Sequence, residues 1–259
     1  MDTVAANLEV VRERIARAAA RSGRAAQAVT LVAVTKSVPV SRIKEAQAAG
    51  VSHFGENRVQ EAEAKYAVRP PISGPEPVGA PAIMSGGPEG TPAGEQVARQ
   101  GITLHMIGTL QSNKVRRAVA LFDWVQSVDR VELVHALATA VERLRPGLPL
   151  PVLLQVNVTG EPTKSGVAPA QLPALAGAVA ACRSLQAMGL MTIARLGADE
   201  AELRRTFSTL RALLDNLRAT YPGEWVHLSM GMSDDYELAI EEGATMVRLG
   251  RAIFGERPA

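Results

Sequence analysis

Aromatic residues make up only 3% of the 259-residue chain, too few for the stacking platforms that single-stranded nucleic acids favour. Cysteine is nearly absent. Cys182 stands alone, which excludes an internal disulfide framework and suits a reducing compartment. An excess of one charge is missing as well: 28 Lys and Arg against 26 Asp and Glu leave a net +2, and no general polyanion-binding surface follows, although the pI is near 8.9. Long apolar runs are missing too. The longest uncharged stretch, Ser165 to Cys182, is Ala-rich and carries Pro169, Pro173 and Gly177, as a buried helix does and a membrane span does not. The opening residues MDTVAANLEVVRER hold no basic region followed by an apolar one, so no secretory signal is expected. These absences predict a soluble, cytoplasmic protein with neither nucleic acid nor membrane as a partner. No GxxxxGK[ST] loop or GxSxG elbow occurs. His53, His105, His135 and His227 show no zinc-binding spacing, so no metal is expected.

What is there is a core-forming composition, 47% hydrophobic and 21% charged, in a length that suits one large α/β barrel or two modest domains. Val4, Leu8, Val11 and Ile15 recur at helical spacing and predict an amphipathic N-terminal helix. Strand-like runs follow at Val29–Thr35, Val51–Phe54, Ile102–Ile107, Trp124–Val128, Val152–Val158, Gln186–Ile193, Trp225–Met230 and Thr245–Leu249. Helix-period segments separate them, among them Ser41–Ala49, Val131–Leu144, Ala201–Ala219 and Asp235–Glu242. Eight strands alternating with helices predict a parallel (β/α)8 TIM barrel with one extra helix at its N-terminus. A doubly wound open sheet is the competing arrangement. One stretch breaks the rhythm: seven prolines and six glycines fall between Pro70 and Gly94. Such a segment forms neither helix nor ladder strand. Residues 1–259 are therefore expected to be one barrel domain, with 70–94 a flexible helix-to-strand insertion on the face opposite the functional site.

In a barrel, chemistry gathers where the strands end. Those exits carry Lys36, Glu56, Asn57, Gly108, Gln111, Asn113, Lys114, Ser127, Asp129, Asn157, Glu161, Lys164, Met191, Thr192, Ser229 to Ser233 and Arg248 to Gly250, a largely polar and basic ring suited to an anionic small molecule. Lys36 closes the apolar strand LVAVT. An amine partly withdrawn from water is a usable nucleophile for aldehydes. A rim lysine whose head merely reaches water fits the same position. Near the C-terminus, Ser229, Gly231 and Ser233 lead into a helix opened by Asp234 with Glu237 three residues on, a capping-box spacing. Gly250 makes a second small-residue turn before Ala252, Ile253 and Phe254. Loops after the seventh and eighth strands form the usual phosphate cradle of barrels, and ordinary helix capping is the plainer reading of each turn alone. His53 and His105 read as satisfied barrel histidines, Cys182 as inert packing at a helix end, and Tyr236 as a residue packed within its helix.

The strings LVAVTKSVP (Leu31–Pro39), FGENRVQEA (Phe54–Ala62), HMIGTLQSNK (His105–Lys114), VNVTGEPTKSG (Val156–Gly166), GLMTI (Gly189–Ile193) and LSMGMSDDYELAIEEGATMVRLGRAIFG (Leu228–Gly255) resemble the pyridoxal-phosphate homeostasis proteins, single-domain relatives of the alanine-racemase barrel. The likeness runs from the first helix to Gly255 apart from the Pro/Gly stretch. It implies a barrel of the alanine-racemase kind, fold-type III among pyridoxal-phosphate proteins. It further implies that Lys36 forms an internal aldimine with pyridoxal 5′-phosphate and that Asn57 lies near the ring. Met232, Ser233, Gly250 and the backbone at Arg251 would receive the phosphate, and Arg248 would face the pyridine nitrogen. Arg58, Leu104 and Met106 depart from the family pattern, and Arg251 stands where a small hydroxyl residue is common.

The resemblance implies a carrier of the cofactor in its homeostasis, with pyridoxal-phosphate-dependent apoenzymes as recipients, rather than an enzyme. A racemase of this fold takes a tyrosine from a second, β-rich domain of its partner, whereas here the barrel pattern ends at Phe254, which also implies a monomer. An arginine cannot accept a proton from the pyridine nitrogen, and the unprotonated ring is a weaker electron sink. Two alternatives stay open: a weak amino-acid racemase, deaminase or decarboxylase, and a barrel enzyme acting on a phosphorylated carbonyl compound through a Lys36 Schiff base.

Overall fold

A computed structural model of the chain describes residues 3–67, 96–161 and 164–256. Eight parallel strands close into a barrel in sequence order: β1 (Thr30–Val34), β2 (His53–Glu56), β3 (Thr103–Met106), β4 (Trp124–Val128), β5 (Leu150–Gln155), β6 (Leu185–Met191), β7 (His227–Ser229) and β8 (Met246–Leu249), with β8 pairing back onto β1. The expected barrel stands, and with it the N-terminal helix. The expectation for residues 70–94 lies outside the described residues.

Helix α1 (Val4–Arg21) is capped by Thr3, whose Oγ1 accepts from the Ala6 N–H at 3.2 Å. Its stripe Val4, Leu8, Val11 and Ile15 is buried. Arg14 and Arg21 pair with Glu237 and Glu241. Asn7 donates to the Ile253 carbonyl at 3.0 Å. This helix therefore clamps the β8 side of the barrel. The outer layer continues with α2 (Val40–Ala48), α3 (Val59–Lys65), α4 (Val115–Leu121), α5 (Val131–Leu144), α6 (Leu172–Ala180), α7 (Glu200–Thr220), α8 (Tyr236–Glu241) and α9 (Arg251–Phe254). Among the described residues no helix is long and apolar enough to cross a membrane.

Two strands differ from the sequence reading. The second was expected at Val51–Phe54 and runs over His53–Glu56. Hydropathy stops at the first charge, but Glu56 is buried and paired, so the ladder to Thr103–Met106 continues through it. The seventh shrinks from Trp225–Met230 to His227–Ser229 because Trp225 turns back at φ 44°, its indole donating to the Pro222 carbonyl at 3.2 Å. Cys182 lies just past α6, its thiol donating to the Ala178 carbonyl at 3.3 Å, and burial pushes that thiol up.

The barrel interior is layered. At the N-terminal end His53, His105, Trp124 and His227 touch ring to ring, with centroids 5.3 to 5.6 Å apart. Leu153, Met188, Met191 and Met246 form a small apolar cluster.

Candidate functional site

Lys36 lies two residues past the end of β1 and is half-buried. Its two neighbours are held from behind. Thr35 sits between the layers: its Oγ1 meets Glu56 Oε1 and the Tyr66 hydroxyl, each at 2.8 Å, and its carbonyl accepts from Lys65 Nζ at 2.5 Å. The same ammonium donates to Glu56 at 2.9 Å and to Glu61 at 2.6 Å. Glu61 in turn accepts the N–H of Ser37 at 2.5 Å, which holds Ser37 in the left-handed region at φ 59°. Thr35 thus faces the helix layer, and Lys36 stands in the turn that follows it at the strand exit. Among the described residues the Lys36 amine has no hydrogen bond or ion pair, so its backbone is pinned and its head is unengaged.

Two carboxylates share one ammonium in this cluster. Burial pushes the Glu56 carboxyl above the ordinary range, against the opposing pull of Lys65 and Thr35. For Glu61 burial acts upward too, but the bonds from Lys65 and Ser37 win and hold it below. Burial also raises the Tyr66 phenol, which stays protonated.

Asn57 leaves β2 beside Lys36. Its Oδ1 is buried without a partner among the described residues, an acceptor left over by the protein itself. Gly108 lets the β3 exit pass across it: a Cβ there would lie 2.3 Å from the Asn57 carbonyl oxygen.

On the other side of the rim, the β7 and β8 loops meet. Gly231 turns at φ 92°, where a Cβ would strike Ala239 and Tyr236 at 2.7 and 2.9 Å. Ser233 Oγ accepts the Ala252 N–H at 3.2 Å and ties the β7 loop to α9. Among the described residues no protein acceptor takes the backbone N–H of Ser233, Gly250 or Arg251. Convergent free N–H groups of this kind suit an anion. Met232 is exposed, its N–H donates to Asp235 at 2.5 Å and its carbonyl accepts the N–H groups of Asp235 and Tyr236 at 3.1 and 2.9 Å, so only its side chain faces outward freely. The Arg251 side chain pairs with Asp234. The capping box does not form: Asp235, not Asp234, precedes α8 and its carboxylate is spent on Met232, while Glu237 reaches Arg14 and Arg21. Tyr236 is buried beneath the Arg14 guanidinium.

Arg248 projects from β8 into the buried interior. Nη1 donates to Ser229 Oγ at 2.7 Å and Nη2 to the Thr192 carbonyl at 2.8 Å. Burial pushes it down to about 10, opposed by Asp235, so it stays a cation and a pure donor at neutral pH.

Other exit residues serve structure. Lys164 is held by Glu161 at 2.6 Å and by the Ala194 carbonyl at 3.1 Å. Lys114 closes the short turn Ser112–Lys114. Asp129 pairs with Arg130, and Asn157 folds its own loop by accepting the Gly160 N–H at 3.0 Å. The His53 and His105 rings are satisfied, by each other at 3.0 Å and by Gln126 at 2.9 Å. Among the described residues no cluster of three metal-ligating side chains gathers. The sequence reading placed Glu56 at the exit of the second strand without giving it a role, and missed Glu61, Lys65 and Tyr66. The helical i, i+4 spacing of Glu61 and Lys65 was the available signal, but nothing in sequence aims the pair at Lys36.

Comparison with known proteins places the chain in a family. Residues 3–258 match the family model described as the N-terminal domain of alanine racemase. The chain is 42% identical over 258 residues to a pyridoxal phosphate homeostasis protein of Pseudomonas aeruginosa, covering 99% of this chain and 97% of that protein. It is 39% identical over 262 residues to the protein of the same description in Escherichia coli K12, covering 99% and 98%. Among solved structures, PipY of Synechococcus elongatus PCC7942 with PLP bound superposes with a TM-score of 0.75 at 34% identity, covering 98% of this chain and all of that one.

Proposed function

The chain belongs to the alanine racemase N-terminal domain family, among its pyridoxal phosphate homeostasis proteins, and from that premise we propose that it binds pyridoxal 5′-phosphate at the C-terminal rim, with Lys36 as the attachment point. The observation that carries this reading is the pairing of an unengaged amine on a pinned backbone with a set of free N–H donors on the far side of the same rim. Pyridoxal phosphate supplies an aldehyde that condenses with a primary amine, and a dianionic phosphate at the other end of its ring. The residues present fit both ends. Thr35 and Ser37 hold the Lys36 backbone still. The N–H groups of Ser233, Gly250 and Arg251 offer the phosphate its donors, and the spare Asn57 Oδ1 offers an acceptor near the ring. Arg248 keeps three of its five N–H groups beyond those given to Ser229 and Thr192. Set against the pyridine nitrogen, it would donate to that atom and could not take up its proton.

This electrostatic choice favours holding over transforming. A ring nitrogen left unprotonated stabilises a carbanion poorly. The protein therefore acts as a store and donor of the cofactor, with apoenzymes that need it as recipients, and turns over amino acids negligibly. Visible absorbance of the purified protein, followed by borohydride reduction and peptide mapping, tests the reading. Label on Lys36 is expected. A colourless protein that releases no pyridoxal phosphate on denaturation, or label chiefly on Lys114 or Lys164, overturns it.

A further inference from the structure

Behind Arg248 a line of polar side chains crosses the barrel. Arg248 Nη1 lies 2.7 Å from Ser229 Oγ, which lies 2.7 Å from Gln126 Oε1. Gln126 Nε2 lies 2.9 Å from His105 Nδ1, and His105 Nε2 lies 3.0 Å from His53 Nδ1. Ser229, Gln126 and His105 are buried completely, and His53 opens at the N-terminal mouth beside a cavity of about 450 Å³. The line spans from the candidate cofactor rim to the opposite end of the molecule.

Its direction follows from donor chemistry. A guanidinium has no acceptor, so Ser229 Oγ accepts from Arg248 and has one proton to give. The acceptor within reach is Gln126 Oε1, which turns the amide nitrogen toward His105. His105 Nδ1 must then accept, which places its proton on Nε2, and that proton goes to His53 Nδ1. Reversing the amide would leave the buried Ser229 hydroxyl proton without a partner. We propose that Arg248, Ser229, Gln126, His105 and His53 form a one-way hydrogen-bond chain, in which Ser229 and Gln126 are positioning residues for Arg248 and both histidines are locked as the neutral Nε2–H form.

A protonated His53 would carry a proton on Nδ1 as well, directed at the Nε2–H of His105. The chain cannot turn round to accommodate it, because its far end is an arginine. The groups that face His53 are His105, Asp123 just before β4, His227 on β7 and, across the cavity, Arg12. Burial lowers His53 while Asp123 pulls the other way; burial and then His53 and His227 lower His105 well below the ordinary range. The chain adds to this balance a bias that originates at Arg248.

The inference that Ser229 positions Arg248 for the cofactor rests on the proposed function, whereas the histidine states do not. Nitrogen-15 spectra of the histidine side chains in the full-length protein are expected to show Nδ1 of His105 and His53 unprotonated. Ser229→Ala cuts the chain at two residues' remove from His105 and frees Gln126 to turn, so the His53 midpoint should rise by about one pH unit. Ser229→Thr keeps the hydroxyl and should restore it. Pyridoxal phosphate added to the Ser229→Ala protein should dissociate about 5-fold faster than from the wild type, again with rescue by threonine. A proton on His105 Nδ1 in the wild type, or a folded Ser229→Ala protein with an unmoved His53 midpoint, overturns the chain. Should Ser229→Ala fail to fold, the wild-type spectrum decides alone. Unchanged dissociation overturns the positioning role, and a wild type that binds no pyridoxal phosphate overturns the functional reading while leaving the chain standing.

Discussion

The two sides of the barrel rim are built on opposite plans. On the β1–β2 side, side chains do the holding: Lys65, Glu56, Glu61 and Tyr66 reach in from behind and fix Thr35 and Ser37, leaving the Lys36 head free. On the β7–β8 side the backbone leaves N–H groups unengaged among the described residues, and Gly231, Ser233 and Gly250 place only small residues there. The difference matches the chemistry each side can offer. A nucleophile needs a moving head on a fixed root, while an anion is best met by several N–H dipoles that cost nothing to reorganise.

The sharpest break in this comparison is Lys36→Ala. It should abolish all borohydride-fixed cofactor and leave the thermal midpoint near that of the wild type, because the amine has no partner to lose. Lys65→Met should act in the reverse manner. It strips the buried Glu56 of its counter-charge and Thr35 of a donor, so about 3–5 kcal/mol of stability is expected to go, read from the denaturant midpoint. Gly231→Ala tests the backbone side. With φ at 92° and Ala239 at 2.7 Å, it should cost about 1–3 kcal/mol and weaken phosphate-dependent binding, while Lys36 keeps its reactivity toward a small aldehyde without phosphate.

Acidification separates both sides from the N-terminal mouth. His105 is neutral in the fold, with its value held well below that of the unfolded chain, so the unfolded state binds more protons as pH falls past its own midpoint near 6.5. Stability from this residue is full above about pH 7 and is lost below about pH 6.5, at up to about 1.4 kcal/mol per pH unit. A denaturation series from pH 7.5 to 5.5 should show that slope diminished in His105→Gln. The smallest effect concerns residues 70–94. Ala67 N–H donates to the Val97 carbonyl at 3.2 Å, so the flanks are already side by side and a short Gly/Ser linker can join them. That replacement should leave absorbance and thermal midpoint almost unchanged, the closure entropy varying by only about 0.6 kcal/mol per doubling of loop length. Loss of cofactor in that variant would tie the segment to the lysine side, through Tyr66 and Thr35.

Sequence periodicity alone laid out the eight strands, the N-terminal helix and the position of Lys36 at a strand exit, because parallel strands buried on both faces are written as apolar runs. The small residues at Gly231, Ser233 and Gly250 were equally legible, since only such residues leave the backbone open. Tertiary structure decided the rest. Glu56 reads as the end of a strand until a lysine nine residues later neutralises it in the core. Asp234 and Glu237 have the spacing of a cap, but Arg251 and the arginines of α1 take them instead. Gln126, His105 and His53 become a directed line only when β2, β3, β4 and β7 converge on Arg248, because a hydrogen bond's direction depends on which donor the neighbour brings and no single strand carries that information.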